Sequence, residues 1–263
     1  METILERILK VKKTEIKYLK ENQEGFSKEM LPKRSLLNKL EKAKEISVIA
    51  EFKRSSPSKG IINHSIDPVE QAKQYEENGA AAISVLTDES FFNGSIHDLI
   101  AVKKAVNVPV LCKDFIIDYV QIDLAARCGA DIVLLIVAAL DEMRLIELYQ
   151  YAKSKGLEVL IEVHHSQELD MALKSGAKLI GINNRNLKTF QVSLSATELL
   201  GPIVKKSGAF LVSESGIHNQ QDVERVRNAG ANGILVGEAL MKSANLKQHL
   251  EGFQIPLVGD GCK

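Results

Sequence analysis

Glu51 and Lys53 stand two residues apart at the end of the apolar run Ile46-Ser47-Val48-Ile49-Ala50. In a strand, residues i and i+2 share a face, so a buried strand would send a carboxylate and an ammonium into one water-poor space. Charges are costly to place there, and those that persist usually do acid/base chemistry. For this segment alone the bland alternative is a surface ion pair at a strand end. Other apolar runs close the same way: Lys113-Asp114, Glu162, Asn183-Asn184-Arg185 and Ser213-Glu214-Ser215-Gly216 each follow one. Only Leu134-Leu135-Ile136-Val137-Ala138 closes without a charge, leaving one apolar wall with Phe115 nearby. Any one of these polar residues could simply tether a neighbouring loop. Seven of them, Glu51, Lys53, Lys113, Glu162, Asn183, Arg185 and Glu214, are hard to explain as tethers, because buried unpaired charge costs several kcal/mol per ion.

The elements that must position these residues follow from a hidden repeat. Asn78-Gly79-Ala80, Cys128-Gly129-Ala130, Ser175-Gly176-Ala177 and Ala229-Gly230-Ala231 each end a helical pattern and open an apolar run, with glycines 50, 47 and 54 residues apart. A glycine just past a helix supplies the left-handed C-cap. The near-continuous apolar run after it is the pattern of a parallel strand covered on both faces. Eight strands are predicted near 46–52, 81–87, 108–113, 131–137, 157–163, 178–183, 209–214 and 233–237. Helical periodicity fills the gaps, over Gln71 to Asn78, Ile96 to Val106, Val120 to Cys128, Met143 to Lys155, Gln167 to Lys174, Ala196 to Lys206, Gln220 to Asn228 and a last stretch near Leu240. Eight strand-plus-helix units of this length predict a (β/α)8 TIM barrel. A doubly wound sheet would need a glycine-rich turn after the first strand, and Lys53-Arg54-Ser55-Ser56-Pro57 is not one. Residues 1–45 form an N-terminal helical extension packed on a single barrel over 46–263, expected to cover its mouth rather than plug its base. Only 26 residues follow the eighth strand, which leaves no space for a second domain.

Barrel chemistry lies at the C-terminal ends of the strands, and loops seven and eight are the usual phosphate site. Ser215 and Gly216 after strand seven, and Gly237 leading into a helix after strand eight, offer small residues and backbone N–H groups to an anion. Arg185 adds a cation from strand six. Glu238 in that helix would repel a phosphate unless its side chain points away. As ordinary turn glycines, Gly216 and Gly237 would carry no such meaning.

The 263 residues hold 34 basic and 34 acidic side chains, an even balance with no electrostatic footprint for nucleic acid or a membrane surface. An anionic ligand must therefore be held by local geometry. Cys112, Cys128 and Cys262 fit neither a zinc site nor a disulfide framework, which points to a reducing cytoplasm. Met1 to Lys20 lacks the apolar core of a signal peptide and the length of a membrane span. His164 and His165, adjacent in a strand, point to opposite faces with no third ligand at a regular spacing, so no metal is expected.

Glu51-Phe52-Lys53-Arg54-Ser55-Ser56-Pro57-Ser58 resembles the strand-one signature of the indole-3-glycerol-phosphate synthase family. The resemblance continues through Cys112-Lys113-Asp114-Phe115-Ile116-Ile117-Asp118, Leu134 to Leu140, Glu158 to His164, Gly181-Ile182-Asn183-Asn184-Arg185-Asn186-Leu187, Val212 to Ile217 and Leu235-Val236-Gly237-Glu238. Seven blocks in order cover nearly the whole chain. Tyr119-Val120 stands where the family usually has Pro-Tyr, and His165 where an acidic residue is more usual; neither touches the motif residues.

The resemblance implies a carboxy-lyase of tryptophan biosynthesis that closes the pyrrole ring of 1-(2-carboxyphenylamino)-1-deoxyribulose 5-phosphate, releasing CO2 and water. Under that reading Lys113 is the acid for closure, its pKa expected to fall toward neutrality, and Glu162 accepts protons opposite it. Glu51 and Lys53 form the pair for dehydration, and Glu214 completes the catalytic set. Ser56 with Lys53 holds the anthranilate carboxylate, Asn183 fixes the ribulose hydroxyls, and Phe115 faces the ring. No cofactor is expected, because loss of CO2 restores aromaticity. The partner is a small phosphorylated substrate, with a monomer the favoured state. A sugar-phosphate isomerase on the same fold would not need two Lys/Glu pairs and an aromatic-lined wall. A non-catalytic paralogue would have lost the acid/base residues.

Overall fold

The computed structural model describes residues 2–22, 31–57, 60–61 and 66–258. Eight strands run parallel: β1 (Ser47–Phe52), β2 (Ala82–Leu86), β3 (Val110–Lys113), β4 (Ile132–Ile136), β5 (Glu158–Val163), β6 (Leu179–Asn183), β7 (Phe210–Glu214) and β8 (Gly233–Val236). Each pairs with its neighbours in sequence, and β1 closes against β8, so the chain is a (β/α)8 barrel with no free sheet edge. The strands lie within a residue or two of their predicted places. A short antiparallel ribbon, Ser55–Ser56 with Gly60–Ile61, follows β1.

The helices are α1 (Ile4–Glu21), α2 (Leu36–Lys42), α3 (Pro68–Glu77), α4 (Glu89–Phe92), α5 (Ile96–Ala105), α6 (Tyr119–Arg127), α7 (Glu142–Ser154), α8 (Ser166–Lys174), α9 (Ser195–Ser207), α10 (Gln220–Asn228), α11 (Glu238–Met241) and α12 (Leu246–Phe253). The last crossover is thus two helices rather than one, and α4 is an extra turn after β2. Gly79, Gly129, Gly176 and Gly230 have φ between +80° and +103°. That is the left-handed cap the repeat calls for, at positions where a side chain would be strained.

Alternation along the strands sorts the core into two layers. Val48, Ala50, Ile83, Val85, Val133 and Leu135 point outward under the helices. Ile49, Ala82, Leu111, Ile132, Leu134, Leu160, Leu179, Val212 and Leu235 fill the interior. Two residues beyond an interior residue lies the next interior position, so Ile49 puts Glu51 inside, Leu111 puts Lys113 inside, Leu160 puts Glu162 inside and Val212 puts Glu214 inside. These four charged residues form the top layer of a filled barrel.

The N-terminal segment divides between the two ends of the barrel. Thr3 and Glu6 make a capping box that starts α1, and Ile4, Leu5 and Ile8 line the cavity at the mouth. Lys20 near its end pairs with Asp118 at 2.8 Å. Contrary to the expectation from sequence, α2 lies at the opposite end and closes the base. Its Leu36 and Leu40 join the interior cluster beneath the strands. The reason is visible in β5: Glu158, its first residue, accepts hydrogen bonds from Leu36 N (2.9 Å) and Leu37 N (3.2 Å), and Ser35 Oγ also donates to it. A carboxylate on a helix N-terminus is doubly favoured, by hydrogen bonding and by the helix dipole.

Glu158→Ala should therefore cost about 2 kcal/mol of unfolding free energy, read by urea denaturation. Its kcat should stay within about twofold of wild type, because Glu158 lies at the end of the barrel away from the charged layer. Unchanged stability would show that α2 is held by Leu36 and Leu40 alone.

Candidate active site

The top layer is a network of ion pairs at the ends of β1, β3, β5, β6 and β7. Lys113 Nζ lies 3.1 Å from Glu162 Oε2 and 3.1 Å from Glu214 Oε2. Asn183 Nδ2 donates to Glu162 Oε1 at 3.0 Å, and its Oδ1 accepts from Arg185 N at 3.0 Å. Lys53 Nζ meets Glu51 Oε1 at 2.6 Å, so the residues two apart do share a face. The carboxylates are 2–5% exposed, which rules out the surface-pair alternative. Two glycines make room for them. A Cβ at Gly237 would come within 2.8 Å of Glu51 Oε1, and one at Gly181 would overlap Glu214 Oε1.

The electrostatics differ from the sequence expectation at Lys113. Burial favours the neutral amine, but Glu162, Glu214 and Glu51 outweigh it, and the pKa is raised rather than lowered. Glu162 is raised by burial, yet Lys113, His164 and the Asn183 hydrogen bond bring it below the usual carboxylate range. Glu214 goes the other way. Burial and the Glu162 charge exceed the help from Lys113 and lift it to about 7, while its Oε1 is buried without a hydrogen-bond partner. One ammonium between two carboxylates thus yields an ionised Glu162 and a Glu214 that holds a proton near neutrality. His164, its pKa raised overall against the opposing effect of burial, lies with Nε2 3.4 Å from Glu162 and Nδ1 3.1 Å from Glu168. His165 also meets Glu168, at 3.0 Å, so the two rings converge on a carboxylate. Among the described residues no three His, Cys, Asp or Glu are grouped to hold a metal.

Above this layer opens a cavity of about 460 Å³. Leu134 and Ile136 of β4 supply the apolar wall, Phe115 stands beside it, and Phe92 of α4 packs on Phe115 with centroids 5.9 Å apart. The opposite rim carries Arg185, Ser215, Gly216 and Gly237. Ser215 and Gly216 both have positive φ, 65° and 82°, a turn stabilised by Asn184 Nδ2 donating to the Glu214 and Ser215 carbonyls at 3.0 and 3.1 Å. Arg185 Nη1 donates to the Phe190 carbonyl at 3.4 Å. Glu238 pairs along its helix with Lys242 at 2.8 Å. Ser56 contributes backbone to the ribbon after β1; its side chain lies outside the described residues.

Phe92, Gly181 and Asn184 escape a reading of strand ends. Phe91-Phe92 in the loop after β2 was the available signal for the first, since apolar side chains in a barrel loop need a partner. Gly181, mid-strand, had a signal too, because glycine weakens a strand unless something approaches closely.

In the folded chain Glu214 keeps its proton to about pH 7, whereas an unfolded chain releases it near about 4.3. The native state therefore binds the extra proton between those values, and wild-type stability falls as pH rises through that window. Glutamine cannot titrate. The stability of Glu214→Gln relative to wild type should climb by about 1–3 kcal/mol between about pH 5 and 7 and then level off. Urea denaturation at stepped pH measures this, and a pH-independent difference would mean that Glu214 is ionised throughout.

Residues 5–253 match the protein family described as Indole-3-glycerol phosphate synthase. Proteins of that name from Bacillus mycoides (strain KBAB4), Bacillus cereus (strain AH820) and Bacillus anthracis are each 51% identical over 255 residues, covering 97% of this chain and 99% of the relative. The strand-end carboxylates and lysines, the closed parallel barrel and a match along nearly the full length agree: the chain belongs to the indole-3-glycerol phosphate synthase family.

Proposed function

We propose that the chain converts 1-(2-carboxyphenylamino)-1-deoxyribulose 5-phosphate to indole-3-glycerol phosphate, CO2 and water, as a cytoplasmic enzyme of tryptophan biosynthesis. The observation that carries this reading is Lys113, charged and held between the buried carboxylates of Glu162 and Glu214 at the floor of a cavity with an aromatic wall on one side and the polar Ser215-Gly216 turn on the other. The family resemblance supports the same substrate. An isomerase would leave Phe92, Phe115, Leu134 and Ile136 without a use. The free, buried thiols of Cys112 and Cys128 suit a reducing compartment.

In this reading the aryl ring lies against Phe115 and strand β4, and the phosphate on Ser215, Gly216, Gly237 and Arg185. Lys53 and Ser56 meet the carboxylate, and Asn183 the ribulose hydroxyls. The ring carbon bearing the carboxylate attacks the ketone carbon, forming the new C–C bond while the carbonyl π electrons move to oxygen. Lys113 donates its proton there. A raised pKa is compatible with that role, because the acceptor is a developing alkoxide, a stronger base than an amine, and the fixed ammonium stabilises it before transfer. The C–CO2 bond then breaks, CO2 leaves, and its electron pair restores the aromatic ring. Lys113, left neutral, is recharged by the proton that Glu214 holds near neutrality 3.1 Å away, and Glu214 regains one from solvent, while Glu162, ionised and held by Asn183, orients the recharged ammonium. Dehydration follows: Lys53 protonates the departing hydroxyl, Glu51 removes the proton from the adjacent carbon next to nitrogen, and the pyrrole double bond forms.

Turnover of the anthranilate-derived ribulose phosphate, followed by the fluorescence of the indole product, tests the reading. Lys113→Met should reduce kcat by at least about 10²-fold in a folded protein; near-normal turnover would remove Lys113 from the acid role. Arg185→Ala should raise KM at least about tenfold and lower kcat less. The reverse pattern would place the phosphate elsewhere.

A further inference from the structure

The helix α1 carries a lysine where its buried face calls for an apolar residue. Ile8, Lys12 and Ile16 lie one turn apart on that face, and Lys12 is 2% exposed. Its ammonium meets three carboxylates, Glu15 on its own helix at 2.8 Å, Asp88 at 2.9 Å and Asp114 at 2.8 Å. Asp88 caps the start of α4, accepting from Phe91 N at 2.7 Å, and α4 carries Phe92. Asp114 immediately follows Lys113; it accepts from Thr87 Oγ1 at 2.7 Å and from Phe115 N at 2.7 Å. One cation on α1 thereby grips the two loops that present Phe92 and Phe115. Burial disfavours the charge, but Asp114 and Asp88 outweigh it and Lys12 stays protonated.

Covering the mouth would require only an apolar residue at this place. A buried ammonium carries a desolvation cost that its carboxylate partners must offset, and these partners belong to the loops after β2 and β3. The same helix contributes Ile4, Leu5 and Ile8 to the lining of the cavity that Phe92 and Phe115 also line. The distance between those aliphatic side chains and the two phenyl rings is therefore set through Lys12.

We propose that Lys12 is a positioning residue for the aromatic end of the substrate, holding α1 against the loops of Asp88 and Asp114 so that the slot between Ile4, Leu5, Ile8 and Phe92, Phe115 keeps its width. This rests on the reading of the cavity as a site for an arylamino sugar phosphate. Lys113 is held independently by Glu162 and Glu214 from within the barrel, so loss of Lys12 should affect binding of the ring more than the chemical step.

In the full-length protein, Lys12→Met should raise KM about tenfold with kcat changed less than about threefold. Because methionine leaves the buried Asp88 and the half-buried Asp114 without their cation, a second variant, Lys12→Met/Asp88→Asn, removes the buried charge of the two and retains the cap on α4. It should melt closer to wild type yet keep the raised KM, an outcome that a merely structural lysine would not produce. Hydrogen exchange gives a readout without substrate: amides of α1 and of Phe115 should exchange at least about tenfold faster in both variants. A folded double variant with wild-type KM, or one that loses kcat and keeps KM, overturns the proposal. If the wild-type protein does not turn over the anthranilate-derived substrate, the proposed reaction fails on its own. Exchange then decides the latch, with faster exchange at both places supporting it and unchanged exchange overturning it.

Discussion

Lys113 between Glu162 and Glu214 is the interaction on which the arrangement of the mouth depends. The interior of the closed barrel below it is lined largely by apolar side chains, so the charges of the top layer are neutralised by one another, by His164 beside Glu162 or by what enters from above. Glu51, Glu162 and Glu214 present three carboxylates against the two ammonium groups of Lys53 and Lys113. Fully ionised, these five side chains carry one net negative charge in a site of low exposure, with only the His164 ring beside Glu162 to offset it. Glu214 relieves this by holding a proton to about pH 7. The same imbalance that would weaken a structural core leaves a donor, an acceptor and a fixed cation within one hydrogen-bonded cluster.

That cluster is exact in place because the backbone leaves it no alternative. Parallel register sets Ile136 beside Glu162, Glu162 beside Gly181, and Asn183 beside Glu214. The absence of a side chain at Gly181 is what lets the Glu214 carboxylate lie across β6 toward Lys113. Asn184, one residue past the layer and 4% exposed, points the other way and bonds Ser213, the Glu214 and Ser215 carbonyls and Thr197. Adjacent asparagines thus divide their work by strand alternation: Asn183 orients the carboxylate and Asn184 braces the turn of Ser215 and Gly216.

The two ends of the barrel have separate tasks. At the base, α2 and Glu158 close the interior with apolar side chains and a capped helix terminus, a solution concerned with stability alone. At the mouth, α1 leaves a cavity instead of filling it, and its buried Lys12 meets carboxylates of the loops that carry the aromatic wall. A resting Lys113 that is firmly charged changes the view of the chemistry as well. The site supplies a preformed positive charge where an alkoxide would develop, rather than an amine tuned to neutrality.

The sequence by itself determined the barrel, because four glycine caps and eight apolar runs recur at a spacing that only strand-plus-helix units satisfy, and each unit is local. It determined most of the charged layer too, since Glu51, Lys113, Glu162, Asn183 and Glu214 each end a run whose period-two alternation already assigns them a face. What it could not supply was anything set by distance between units. That Lys113 serves Glu214 as well as Glu162, and so has its pKa raised, depends on where β3, β5 and β7 meet across the barrel. That Gly181 makes space for Glu214 depends on register between β6 and β7. The division of the N-terminal segment between mouth and base was hidden for the same reason. The helical pattern of α1 and α2 shows that each has an apolar face, but Glu158 at the foot of β5 and the carboxylates of Asp88 and Asp114 at the rim, remote in sequence, decide which end of the barrel each face covers.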